Sequence, residues 1–221
     1  MNLKLITGPA AEPVRLDEAK AQLRITRSIA DAYLPTLITA ARELIEPVLR
    51  RSLITQTWQL NLDSFKTPIA GQYYDAFRVP MPPQAIGATP FGSVSYPYSV
   101  IYLPRPPVQS VTTIQYLDTN NVQQTLDPST YIVDAANEPA RIMPPPGNVW
   151  PSTRAQINSV SITYVAGYGD ATTVPARAKL AIMQLVGHWF NNRESVTEAA
   201  LKIVPDALSR LLGSLDFGSY N

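Results

Sequence analysis

The chain has 221 residues, of which 45% are apolar and only 16% charged, enough to bury a real core in one large domain or two small ones. Eighteen Lys and Arg against seventeen Asp and Glu leave a net charge of +1, so no global field favours nucleic acid or an anionic membrane. The absence of cysteine excludes a disulfide framework, a zinc–thiolate site and a thiol nucleophile, and 21 prolines exclude a chain built mostly of long helices.

The first fifteen residues hold a short apolar run, Leu3, Leu5 and Ile6, with no cleavage pattern of a signal peptide. Nowhere do 18 apolar residues follow one another, so no membrane span is expected. The N-terminal fifty residues read as helix. Leu16, Ala19, Leu23 and Ile25 carry a first apolar stripe, and Asp17 and Glu18 sit where a first turn favours acids. A second helix starts at Ser28 or Asp31 and runs to about Arg51, with the stripe Leu34, Leu37, Ile38, Ala41, Ile45, Val48 and Leu49. Pro35 is tolerated in its first turn, and Pro47 should kink or tighten its last.

From Leu53 the period changes to two. Ile54, Gln56, Trp58, Leu60 and Leu62 alternate with polar residues, as in a half-buried strand. Residues 64–110 then hold four charges, nine prolines and eight of the nineteen aromatic residues. They read as short extended pieces within a long Pro/Tyr-rich loop. Val108 to Asp118 is a strand, Thr119-Asn120-Asn121 a turn in which asparagine tolerates positive φ, and Val122 to Leu126 the hairpin partner. Short strands follow at Tyr131–Val133 and Arg141–Met143, then a hard break at Pro144-Pro145-Pro146-Gly147. Val160 to Val165 is a clean apolar strand, closed by Ala166-Gly167-Tyr168-Gly169-Asp170.

Val174-Pro175 fits a helix start, and Ala178, Ala181, Ile182, Leu185, Val186, Trp189 and Phe190 form its stripe to about Glu194. Pro205 opens a last amphipathic segment with Leu208, Leu211, Leu212 and Leu215. Neither terminal helical part has enough core alone. The expected fold is therefore α+β: residues 1–51 and 174–215 form one small helical bundle, interrupted by an antiparallel β insertion, 52–173, with the loop 64–110, and 216–221 form a tail.

Catalysis is poorly supported. The one histidine, His188, lies on a strongly apolar helix between Gly187 and Trp189 and reads as structural. One histidine and no cysteine leave no His-based metal cluster. Gly167-Tyr168-Gly169 lacks the third glycine of a dinucleotide fingerprint and reads as a tight turn. Asp63, Asp118, Asp127 and Asp134 lie in or beside β segments, and a glycosidase would need two of them paired, but each also suits a strand end or turn. Asp118-Thr119-Asn120-Asn121 lacks the glycine and closing glutamate of a calcium loop. No cofactor is expected.

Arg42, Arg50 and Arg51 near the end of the second helix either complement its dipole or face a channel through which DNA passes. The amphipathic residues Tyr73, Tyr74, Phe77, Phe91, Tyr96, Tyr98 and Tyr102 favour a protein–protein contact over mere core cover, because sparse charge and a restricted backbone lower the cost of association. Leu211, Leu212, Leu215, Phe217 and Tyr220 make an end too apolar to stay free.

Several stretches, in order along nearly the whole chain, resemble a known family. They include Leu16-Asp17-Glu18-Ala19-Lys20 with Leu23-Arg24-Ile25, and Leu37-Ile38-Thr39-Ala40-Ala41-Arg42. Ile54-Thr55-Gln56-Thr57-Trp58 and Leu103-Pro104-Arg105-Pro106-Pro107-Val108-Gln109-Ser110-Val111 follow. Leu62-Asp63-Ser64-Phe65, Ile114-Gln115-Tyr116-Leu117-Asp118, Pro139-Ala140-Arg141-Ile142, Trp150-Pro151, Tyr164-Val165-Ala166-Gly167-Tyr168-Gly169, Val174-Pro175 and Leu185-Val186-Gly187-His188-Trp189-Phe190-Asn191-Asn192-Arg193-Glu194 complete the set. Together they resemble the head–tail connector (head-completion adaptor) proteins of tailed bacteriophages, in the larger version with a β insertion. Ala70 to Tyr98 departs from that pattern in its length and Tyr/Pro content.

The resemblance implies a structural virion protein of the neck, assembled in the host bacterial cytoplasm and not an enzyme. It implies a ring, commonly of twelve copies, under the portal protein, extending the DNA channel with transient non-specific DNA contact and offering a platform to a stopper or tail-terminator protein. A carboxylate-based glycan hydrolase or glycan-binding virion protein is the alternative. A ring closes through heterologous contacts, so each subunit needs two different adhesive faces.

Overall fold

A computed structural model describes residues 2–26, 31–65 and 100–191. Within them the fold is α+β, with three α-helices and two antiparallel sheets. The described residues divide into two compact units: 9–26, 31–55 and 168–191 in one, and 2–8, 56–65 and 100–167 in the other.

The first unit is helical. Helix α1, Leu16–Leu23, carries Asp17 and Glu18 in its first turn, and the Glu18 carboxylate accepts the Arg15 amide at 2.7 Å. It ends where Arg24 turns left-handed at φ 55°, the Ile25 amide donating to the Lys20 carbonyl at 3.0 Å. Helix α2, Leu34–Leu49, has Pro35 in its first turn and Pro47 in its last. That last turn tightens: the Arg50 amide reaches the Pro47 carbonyl at 3.2 Å, and Arg50 takes φ 54°. Helix α3, Ala176–Asn191, follows Pro175 directly.

The buried face of α2 runs through Ile38, Arg42, Glu46 and Leu49 in steps of four and three. It thereby leaves Val48, expected in the stripe, 51% exposed. Leu34, Leu37, Ile38, Ala41 and Ile45 of α2 share one apolar core with Ala178, Ala181, Ile182, Leu185 and Val186 of α3. Ala19 of α1 enters the same core, while Leu16, Leu23, Trp189 and Phe190 flank it half-buried.

Leu53 and Ile54 lie in this core too, not in the sheet where their alternation placed them. The reason is backbone pairing. The Tyr168 amide donates to the Leu53 carbonyl and the Thr55 amide to the Gly169 carbonyl, so both crossing segments continue into the helical unit. Gly167 and Gly169 supply the positive φ of the tight turn, and the Asp170 carboxylate caps it by accepting the Thr172 amide at 2.7 Å. A Cβ at Gly169 would stand 2.9 Å from the Thr173 hydroxyl.

The second unit contains eight strands: β1 Asn2–Thr7, β2 Gln56–Leu62, β3 Ile101–Leu103, β4 Val108–Leu117, β5 Gln123–Thr125, β6 Ile132–Asp134, β7 Ala140–Met143 and β8 Val160–Ala166. They form a five-stranded sheet ordered β1-β2-β8-β4-β5 and a three-stranded sheet ordered β3-β7-β6. β1 corrects the reading of residues 1–51 as wholly helical. Its Leu3, Lys4 and Leu5 pair with Leu60, Gln59 and Trp58 across more than fifty residues of chain. A six-residue run closed by Gly8-Pro9 is too short to nucleate a helix and finds its partner only in the folded chain.

Strict alternation in β8 buries Val160, Ile162, Tyr164 and Ala166 against Leu60, Leu62, Ile101, Leu103, Ile114 and Ile142. The Tyr164 hydroxyl donates to the Pro104 carbonyl at 2.7 Å, and burial pushes its pKa well up. The β4–β5 hairpin forms as expected. Asn121 takes φ 66°, and the Asp118 carboxylate accepts the Asn120 and Val122 amides at 2.9 Å each.

Candidate interaction surfaces

The arginines expected beside a channel lie mostly inside the helical unit. Arg42 is 6% exposed, its Nε 2.9 Å from Glu12, its Nη1 3.2 Å from Glu46 and its Nη2 3.4 Å from Glu43. Burial by itself would lower its pKa, but the hydrogen bonds and charges of Glu12 and Glu46 more than offset that, leaving it raised. Glu12 also accepts the Thr39 hydroxyl, and Glu46 the Leu53 amide, both at 2.8 Å. The cluster therefore ties the segment before α1 and the exit of α2 to the middle of α2.

Arg51 is 5% exposed and donates to the Tyr168 hydroxyl at 2.9 Å. Arg50 is half-buried at the left-handed end of α2. Arg42 and Arg51 are thus buried within the helical unit, Arg42 against three carboxylates and Arg51 against the Tyr168 hydroxyl. The signal was in the sequence, because a charged residue in an apolar stripe with a glutamate four residues on marks an internal pair.

Of the carboxylates considered for glycan chemistry, Asp118, Asp127 and Asp134 are engaged by residues close in sequence, and Asp63 by a remote segment. The Asp118 carboxyl is held below the usual carboxylate range chiefly by the Val122 amide, and that of Asp127 by the Ser129 hydroxyl and amide. Asn137 and Arg141 do the same for Asp134, and Asp63 accepts the Asn158 amide at 2.9 Å. A glycosidase acid needs the opposite shift. Among the described residues no group of three or more His, Asp or Glu side chains is placed to hold a metal ion. His188 is half-buried on α3.

These lowered carboxyls, together with Asp170, lowered chiefly by the Thr172 hydroxyl, set an acid response. A folded-state pKa below the unfolded value stabilises above about pH 4, and that stability is lost as pH falls through the folded pKa. The parent Tm should accordingly drop as pH falls below about 4. Asp118→Asn and Asp170→Asn should lie below the parent at neutral pH and converge with it in acid. Thermal melts across that range check this.

Tyr73, Tyr74, Phe77, Phe91, Tyr96 and Tyr98, and Leu211, Leu212, Leu215, Phe217 and Tyr220, lie outside the described residues, as does the amphipathic segment from Pro205. Tyr102 lies half-buried on β3. The β unit does present apolar surface that the sequence reading missed. Val149 is 87% exposed and Ile157 77%, in a loop pinned on several sides. Trp150 stacks on Phe65, ring centroids 4.8 Å apart and planes 8° apart; the Arg154 amide donates to the Leu117 carbonyl at 3.0 Å, and the Ser159 hydroxyl to the Arg154 and Gln156 carbonyls. A pinned loop that still offers large aliphatic groups to solvent has a surface ready for a partner at small entropic cost. The legible signal was Val149-Trp150 amid proline and polar residues.

Two edges complete the surface. β1 borders the five-stranded sheet and exposes Leu5 and Ile6. On the far side β5 pairs only with Gln115, Tyr116 and Leu117 of β4, so among the described residues Ser110–Thr113 have no strand on their outer side.

Comparison with known proteins agrees with this architecture. Residues 13–80 match the family model of phage gp6-like head-tail connector proteins. No curated protein sequence matches the chain. The fold is shared with a chain in the neck of an empty gene transfer agent (GTA) particle computed with C6 symmetry, at TM-score 0.69 and 17% identity over 100% of this chain and 98% of the other. A chain from the virion of the native gene transfer agent particle gives TM-score 0.69 at 18% identity with the same coverage. One from the native neck computed with C12 symmetry gives 0.65 at 18%, again over 100% and 98%.

Proposed function

We propose that this chain, which carries the gp6-like head-tail connector match over residues 13–80, is a structural subunit of a virion neck. In this reading it forms a ring, of twelve copies, beneath the portal protein. The ring extends the DNA channel and gives the stopper or tail-terminator protein its docking platform. The observation that carries the proposal is the coincidence of two independent likenesses. The family match lies in the N-terminal third, while the fold of the whole chain spans 98% of chains found in phage-like necks.

The helical parts, 9–51 with 174–215, act here as one bundle and the β part as a second adhesive body, giving the two unlike faces a closed ring requires. The aromatic residues Tyr73, Tyr74, Phe77, Phe91, Tyr96 and Tyr98 serve subunit or portal contacts. Leu211, Leu212, Leu215, Phe217 and Tyr220 dock the C-terminal end on the portal. DNA contact is transient and non-specific, in keeping with a net charge of +1. Assembly takes place in the host cytoplasm and needs no catalysis.

Mixed with portal-bearing capsids, the full chain should give a ring in mass photometry and negative-stain images. A chain that stays monomeric in the presence of portal overturns the reading.

A further inference from the structure

A strand at a sheet edge presents unpaired N–H and C=O groups, and folded proteins guard such edges with charges, prolines, short length or cover. Among the described residues β1 has little of this. It is six residues long, contains one charge, Lys4, and no proline, and exposes both Leu5 and Ile6. Its inner side is fully used by β2. At the opposite border of the same sheet, β4 is ten residues long, but β5 covers only its C-terminal end. The stretch Val108–Thr113 carries no charge or proline, and Ser110 and Thr112 are exposed.

These two edges are unlike each other, similar in length and placed at opposite ends of one sheet order, β1-β2-β8-β4-β5. Head-to-tail association of identical copies uses two such non-equivalent sides, each satisfying the other. A second copy is therefore the occupant that fills both edges at once, and neither edge brings a carboxylate that would oppose the contact. Both edge strands also carry register shifts, between Leu5 and Thr7 in β1 and at two places in β4. Such irregularities add twist and curvature, which suits closure into a ring better than an endless flat stack.

We propose that neighbouring copies join by sheet continuation, β1 of one subunit pairing with the Ser110–Thr113 stretch of β4 of the next. This rests on the ring reading above and names its contact. Strand pairing uses main-chain hydrogen bonds, so the contact would hold without a large apolar patch.

Hydrogen exchange on the assembled full-length oligomer tests it. The outward-facing amides within residues 3–7 and 110–113 should exchange at least tenfold more slowly than in the dissociated subunit, while those of β2 and β8, already paired on both sides, stay within twofold. Because the chain has no cysteine, a covalent test is also clean. Lys4→Cys or Ile6→Cys combined with Ser110→Cys or Thr113→Cys should give, on oxidation, a ladder of multimers on non-reducing gels. The single variants should give none. Oligomers that form normally but show unchanged exchange at both edges, or no ladder from any of the four pairs, overturn the sheet contact and leave the ring standing. Absence of any oligomer with portal present overturns the ring reading and this contact with it.

Discussion

Arg42→Ala is expected to destabilise the helical unit by about 3–5 kcal/mol, the range for breaking a buried ion pair by removing one partner. The size follows from what stays behind. Glu12 and Glu46 are partly or wholly buried, and each would lose its arginine while keeping its place beside the core. Desolvating a carboxylate without a counter-charge is the most costly outcome available at this site. Arg42→Lys keeps the charge but cannot reach three carboxylates with one planar fork, so it should fall between parent and alanine. A triple change, Arg42→Met with Glu12→Gln and Glu46→Gln, removes the buried and half-buried charges together, leaves only the exposed Glu43, and should recover much of the loss. Urea unfolding followed by helical circular dichroism checks the order, the midpoint moving with little change in slope. An alanine variant within about 1 kcal/mol of the parent, the range of an exposed pair, would show the cluster to be a solvated one.

Phe65→Ala should produce a comparable loss in the β unit, about 3–5 kcal/mol for truncating a buried phenylalanine. Phe65 is buried, stacks on Trp150 and meets Tyr116 edge-on with ring centroids 5.6 Å apart. Its loss removes the aromatic support from the loop that presents Val149 and Ile157. Beyond the shifted unfolding midpoint, the amides of Arg154 and Asn158 should exchange several-fold faster, since their acceptors Leu117 and Asp63 no longer face a fixed loop. Phe65→Leu, which refills part of the volume without the stack, separates packing from ring geometry. If alanine leaves loop exchange unchanged, Trp150 is held by other contacts.

Both effects lie at places where one residue joins segments distant in sequence, and they mark where reading the chain by itself reaches its end. Periodicity located α2, α3, β2 and β8, because each repeats an apolar residue at its own helical or strand spacing over at least seven residues. The Asp118 hairpin and the Gly167-Tyr168-Gly169 turn were also legible, since asparagine and glycine mark positive φ locally. β1 was not. Six residues provide too little periodicity, and its identity as a strand depends on Leu60 and Trp58, far along the chain. For the same reason Leu53 and Ile54 continued the alternation of β2 on paper, yet they belong to the helical core. Arg42 shows the converse case: its helical interval from Ile38 and the glutamate four residues on were in view, but its partner Glu12, thirty residues away, was not.

The sequence by itself determined the class of the protein: α+β, nearly neutral, without cysteine, helical toward both termini, β between them and resembling connector proteins in an ordered set of short stretches. These follow from composition and short-range spacing, which are properties of the unfolded chain as much as of the folded one. Only the tertiary structure decided which arginines are buried, which strands border the sheet and which apolar side chains remain outside. Burial and edge position are set by pairings between remote segments, whose energy depends on the partner each residue meets and not on the residue alone.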